Sequence, residues 1–90
     1  MPTVYIPALL QGLTGGKSVL EAEGATVREV LENLERAYPG LGARLLDQGR
    51  LRPNISVAVD GRISSSGLRE PVSPSSEVHF LTAIAGGAAL

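Results

Sequence analysis

Thr26-Val27-Arg28-Glu29-Val30-Leu31-Glu32-Asn33-Leu34-Glu35-Arg36-Ala37-Tyr38-Pro39-Gly40 decides how this chain folds. Thr26 and Glu29 have the Thr-x-x-Glu spacing of a capping box, in which each side chain satisfies an orphan amide, so a helix is expected from Val27. Val27, Val30, Leu31, Leu34 and Tyr38 then recur at helical spacing, while Arg28, Glu29, Glu32, Glu35 and Arg36 take the remaining faces. One side of this helix packs and the other is solvated. Glu32 precedes Arg36 by four residues, the favourable order for an ion pair worth about 0.2–0.5 kcal/mol. Pro39-Gly40 ends the helix.

Towards the N-terminus, Thr3-Val4-Tyr5-Ile6-Pro7-Ala8-Leu9-Leu10 is rich in strand formers, with Val4, Ile6 and Ala8 alternating onto an inner face. Pro7 donates no ladder bond, so its side of the strand is expected to be unpaired or bulged. Gly12-Leu13-Thr14-Gly15-Gly16-Lys17 reads as a hairpin loop, and Ser18 to Ala22 as the returning strand with Leu20 and Ala22 inward. It lacks the spacing and the following helix of a phosphate-binding loop.

Towards the C-terminus, Leu41, Leu45 and Leu46 suggest a short helical turn closing the core, followed by a polar loop at Asp47-Gln48-Gly49-Arg50. Ile55, Val57 and Val59 alternate with Ser56 and Ala58, and Asp60-Gly61 is a two-residue hairpin signal leading to a short strand at Arg62-Ile63. Ser64 to Ser76 reads as a surface loop with one turn near Leu68. The last strand, Glu77 to Ala83, places Val78 and Phe80 inward and His79 and Leu81 outward. It passes into Ile84-Ala85-Gly86-Gly87, then Ala88-Ala89-Leu90.

With one amphipathic helix to cover one face, the economical packing is an α+β roll: a β-grasp with a mixed sheet of four to five strands and one main helix across it. The terminal strand is expected beside the first, in the middle of the sheet, with its end projecting. Residues 1–87 are read as a single domain with a flexible C-terminal tail, and residues 88–90 as an extension.

Ninety residues with 43% hydrophobic content give a modest core and little room for a buried active site. A formal net charge of -1 provides no general attraction to nucleic acid or anionic lipid, so neither is expected as a partner. The absence of cysteine excludes disulfides, thiolate metal sites and a cysteine nucleophile. No charged leader is present and no run approaches the roughly 18 apolar residues of a membrane span, so a cytoplasmic location is expected. The serines have no histidine near them in sequence, which argues against a hydrolase. His79, the sole histidine, reads as a surface or satisfied side chain before a ligand or a base. Arg50, Arg52, Arg62 and Arg69 are candidates to gather at one end against an acidic partner, although loop arginines are ordinarily just solvated.

The strand order, the Leu13-Thr14-Gly15-Gly16-Lys17 loop, the helix start at Gly24-Ala25-Thr26-Val27-Arg28-Glu29-Val30-Leu31 and the ending Val78-x-Phe80-Leu81-x-x-Ile84-Ala85-Gly86-Gly87 together resemble the ubiquitin-like sulfur-carrier proteins of molybdopterin, thiamin and cysteine biosynthesis. Ile6 to Leu10, followed by Thr14 to Val19, looks most like the thiocarboxylate carrier of the cysteine pathway. The resemblance implies a carrier, not an enzyme, with no bound cofactor and no metal ligands. Gly87, once C-terminal, is then the point of adenylation and thiocarboxylation. An E1-like adenylyltransferase/sulfurtransferase consumes the ATP, and a sulfur-accepting synthase takes the sulfur. Ile84, Ala85 and Gly86 would thread the partner's active site, and His79, Leu81 and Ala83 would form the docking surface. Family members normally end at Gly-Gly, so Ala88-Ala89-Leu90 is a departure. Removal by a processing metalloprotease, a cloning remnant and a chain that is not a carrier all stay open, as does a ubiquitin-like modifier that joins Gly87 to lysines. A β-grasp binding domain without tail chemistry is the alternative from another class.

Overall fold

The computed structural model describes residues 1–82. The capping box forms: Thr26 Oγ1 accepts from Glu29 N at 3.3 Å, and Glu29 Oε1 accepts in turn from Ala25 N at 2.9 Å, one residue ahead of the position the motif implies. Helix α1 (Val27–Ala37) follows, and Val27, Val30, Leu31 and Leu34 are buried on its inner side. Gly24 permits the close approach at its start, because a Cβ there would lie 2.6 Å from Val30 N. The anticipated Glu32–Arg36 pair is not made. Arg36 Nη1 instead donates to Asn33 Oδ1 at 2.9 Å, a shorter reach along the same helix.

The sheet has the order β2-β1-β7-β5-β6, built from β1 (Thr3–Tyr5), β2 (Val19–Glu21), β5 (Ile55–Val59), β6 (Arg62–Ile63) and β7 (Glu77–Thr82). Strands β1 and β7 run parallel at its centre and the other pairs are antiparallel, which makes the mixed sheet of a β-grasp. Its inner face buries Val4, Leu20, Val57, Val78 and Phe80 against α1. The expected short turn is α2 (Leu41–Leu45), which seals the bottom of the core with Leu41 and Leu45 fully buried.

Three expectations need correction. The first strand ends at Tyr5, not Leu10: Ala8–Thr14 is a 3₁₀ helix, Ala8 is exposed, and Leu10 takes the buried position. Strand β1 is central, so an imino acid at position 7 stops the ladder. Thr14 at the end of this helix is fully buried, and its Oγ1 donates to Lys17 O at 2.7 Å. Secondly, Asp47–Arg50 is not a simple loop but the turn of a small hairpin, β3 (Leu46–Asp47) with β4 (Arg50–Leu51). Thirdly, Glu35 is not on a purely solvated face. It is half-buried, accepting from Gly40 N at 3.0 Å and from Gly42 N at 2.7 Å. Those two amide bonds hold its carboxyl below the usual carboxylate range.

The loop from Ser64 carries a single turn of 3₁₀ helix at Gly67–Arg69, with Leu68 buried, as anticipated. No helix among the described residues is long and apolar enough to cross a membrane.

Candidate functional site

Strand β7 is described from Glu77 to Thr82, and its start is held in place. Asp60 Oδ1 accepts from Glu77 N at 2.9 Å, while Asp60 Oδ2 accepts from Ser76 Oγ at 3.1 Å. Its far end at Thr82 pairs with Ile55. Ala83, Ile84, Ala85, Gly86 and Gly87, the remaining predicted site residues, lie outside the described residues, as do the projecting end and residues 88–90.

Residues opposite one another on paired strands share a face, and successive residues alternate. The pairings Val19↔Tyr5, Tyr5↔His79, His79↔Ala58 and Ala58↔Ile63 therefore set five side chains in one row across all five strands, on the face away from α1. Within the row the rings of Tyr5 and His79 stack, with centroids 4.1 Å apart and planes within 6°. Ala58 was expected to point outward and does, yet it is only 8% exposed because larger neighbours shade it on both sides. Ile63 is 63% exposed, Val19 46%, and Leu81, one row further along β7, 42%. The opposite end of the face is acidic, with Glu21 and Glu77 flanking Thr3.

His79 and Leu81 thus sit outward as the sequence suggested. The sequence reading named neither Tyr5 nor Val19 nor Ile63 as part of the surface. Alternation about Val4 and Leu20 was the signal for the first two. For Ile63 it was the Asp60-Gly61 turn, which fixes what lies opposite Ala58.

Next to Thr82 a second feature appears: Leu9, Arg44, Arg52 and Ile55 line a cavity of about 400 Å³. Leu9 is 78% exposed. Arg52 Nη2 donates to Ala43 O at 2.9 Å, which anchors its guanidinium there. Thr82, the last described residue of β7, therefore shares a cavity with an apolar side chain and two cations.

Among the described residues no histidine or serine stands in the geometry of a reaction centre. His79 Nε2 lies 3.9 Å from Glu77 Oε1, a contact that carries charge only when the imidazole is protonated. Ser64 Oγ donates to Glu70 Oε1 at 2.6 Å and has no imidazole beside it. Among the described residues there is no group of three or more His, Cys, Asp or Glu able to hold a metal ion. What the arrangement offers is a sheet face on which Tyr5, Val19, Ile63 and Leu81 stand beside His79 and Ser56, with His79 and Leu81 on the strand that ends the described residues.

The profile of the ThiS family matches residues 4–87. Sulfur carrier protein CysO of Mycobacterium tuberculosis is 36% identical over 91 residues, covering 94% of this chain and 97% of its own length. Small archaeal modifier protein 3 of Haloferax volcanii is 31% identical over 84 residues, covering 89% and 91%. Among solved structures, the Amycolatopsis orientalis BexX/CysO complex contains a chain that superimposes with a TM-score of 0.91 at 37% identity, over 97% of this chain and all of that one. A match through almost the whole chain, on the same mixed five-stranded sheet, identifies this protein as a member of the ThiS family of ubiquitin-like proteins.

Proposed function

We propose that this protein is a sulfur carrier of the CysO type, charged at Gly87 after Ala88-Ala89-Leu90 has been removed. The observation that carries the reading is the outward row Val19-Tyr5-His79-Ala58-Ile63, continued by Leu81 along the strand whose sequence runs on into Gly86-Gly87. A folded body that presents exposed Val19, Ile63 and Leu81 on the face of the sheet that includes β7, the strand whose sequence leads to the diglycine, suits delivery into a partner's active site.

Once the Gly87–Ala88 peptide bond is hydrolysed, the freed carboxylate, with a reference pKa of about 3.5, is ionised and a poor electrophile. An E1-like enzyme activates it: a carboxylate oxygen attacks the α-phosphorus of ATP and pyrophosphate leaves. Hydrosulfide then displaces AMP, releasing a proton and giving the thiocarboxylate. The body supplies recognition for these steps, and the enzyme supplies the catalytic groups. Ordering Ile84, Ala85, Gly86 and Gly87 in the partner costs roughly 1–2 kcal/mol per residue, which docking of Tyr5, His79, Ile63, Leu81 and Ala83 must offset. A sulfur-accepting synthase, for cysteine synthesis first and for molybdopterin or thiamin as alternatives, then takes the sulfur. A processing metalloprotease is the class that exposes Gly87. All of this takes place in the cytoplasm.

Similarity to small archaeal modifier protein 3 favours a second reading, in which activated Gly87 forms isopeptide bonds with lysines. Mass spectrometry of the protein from its native host separates the two. A chain ending at Gly87 with one oxygen replaced by sulfur supports the carrier, and Gly87–lysine adducts support the modifier. Leu90 intact in every molecule overturns both. Gly87→Ala is expected to abolish charging while the thermal midpoint stays unchanged, because a Cβ at the reactive residue blocks a narrow channel.

A further inference from the structure

Arg28 in the first turn of α1, Arg50 in β4 and Arg69 in the second 3₁₀ helix are far apart in sequence, yet they line one cavity of about 460 Å³ together with Ser65, Ser66 and Leu68. No aspartate or glutamate lines it, and among the described residues none of the three arginines has a carboxylate within ion-pairing distance. The sequence reading had grouped Arg50 and Arg69 with Arg52 and Arg62. The fold instead sends Arg52 to the cavity beside Thr82 and Arg62 to a separate hollow next to Glu70, and brings in Arg28 from the helix.

This gathering is built. Arg28 Nη2 donates to Gly49 O at 3.3 Å, which leaves the rest of that guanidinium free. The Ser65–Ser66 segment is shaped by Ser64 Oγ, which accepts from Ser66 N at 3.0 Å and from Gly67 N at 3.1 Å. Three guanidiniums without counter-charge repel one another, and the repulsion is relieved when an anion binds between them. Their planar forks match oxygens in pairs. A monocarboxylate has two oxygens and one charge, too few for three arginines, whereas a phosphate group offers three oxygens and up to two charges. The hollow is open to solvent and its three arginines are exposed, so a ligand would be held at the surface and not enclosed. The basic groups occupy a hollow and not a stripe, in a chain of net charge -1, which disfavours nucleic acid.

We propose that this cavity is a binding site for a small phosphate-bearing anion, held by Arg28, Arg50 and Arg69, with Leu51 and Leu68 as an apolar floor for an organic substituent. It is independent of the Gly87 chemistry, and it requires no partner protein. The test is a nitrogen-15 NMR titration of the full chain with inorganic pyrophosphate and, separately, phenyl phosphate, at constant ionic strength. Saturating shifts are expected at the Ser65, Ser66 and Gly67 amides and at the Nε groups of the three arginines. Arg50→Gln and Arg69→Gln should each weaken binding about tenfold or more, as expected for loss of a hydrogen bond to a charged group, with the remaining spectrum unchanged. Arg62→Gln should leave affinity unchanged. Tighter binding of phenyl phosphate than of pyrophosphate supports the apolar floor. Shifts that grow without saturating, that spread equally over Arg44, Arg52 and Arg62, or that persist in the Arg50→Gln/Arg69→Gln double variant overturn the proposal. So does saturation by a polyglutamate peptide when neither phosphate compound binds, since that would make the cavity a contact for protein carboxylates.

Discussion

Glu35 joins two elements through one side chain. Its carboxylate accepts from two consecutive-turn amides, Gly40 N and Gly42 N, which the end of α1 and the start of α2 would otherwise leave open. Because those bonds lower its folded pKa below the ordinary 4.5, the stability they add is fully present above that value and is lost as pH falls through the folded pKa. Urea midpoints of the wild type and Glu35→Gln should therefore differ at pH 7 and converge in acid, once the pH lies below the lowered folded pKa. A gap that persists in acid would assign the effect to packing. Gly24 is a second residue with a definite expectation. It combines φ +156° with a virtual Cβ 2.7 Å from Val30 Cγ2, so Gly24→Ala must push the helix start aside, at a cost of about 1–3 kcal/mol in denaturation experiments. Neither role was legible in sequence. Helical spacing reports which face is apolar, and it is blind to a chain that folds back beyond Pro39 to meet the polar face.

Helix α1 was legible because its signals are local: a cap, a period and a terminator lie within fifteen consecutive residues. Thr26→Ala should cost about 1 kcal/mol by thermal or chemical unfolding, the usual value of a lost N-cap. The two hairpins show where local reading stops. Asp60-Gly61 adopts φ values of 52° and 86°, and Gln48-Gly49 adopts 55° and 78°, so the turns are alike. Aspartate tolerates that region and announces the turn, whereas glutamine does so rarely, and β3–β4 went unseen. The 3₁₀ helix at Ala8–Thr14 was hidden for a different reason. Its leucines look like strand residues, and only the tertiary burial of Leu10 and Thr14 distinguishes the two conformations.

At the level of the whole molecule, the sheet has two unlike faces, one packed on α1 and one with a Tyr5–His79 stack at its centre, exposed Val19 and Ile63 at its edges and an acidic end. Ile63→Asp and Leu81→Asp should each leave stability within about 0.5 kcal/mol, as exposed positions do, while slowing charging by the activating enzyme. Charging at the wild-type rate in both variants would remove this face from the docking account. The order of strands was legible from a single helix and the hairpin signals, since few topologies satisfy both. The composition of the outer row was not, because it depends on register between strands far apart in the chain. That register has a consequence for biogenesis. Residues 3–5 find their central partners only at residues 77–79, so no nascent chain can close the sheet until nearly all of it has been synthesised. A product terminated before residue 77 lacks β7 and cannot complete the outer row. On the proposed reading, enzymes that dock on the face meet only chains that extend through β7 and have folded, so the topology screens out shorter products ahead of any chemistry at Gly87.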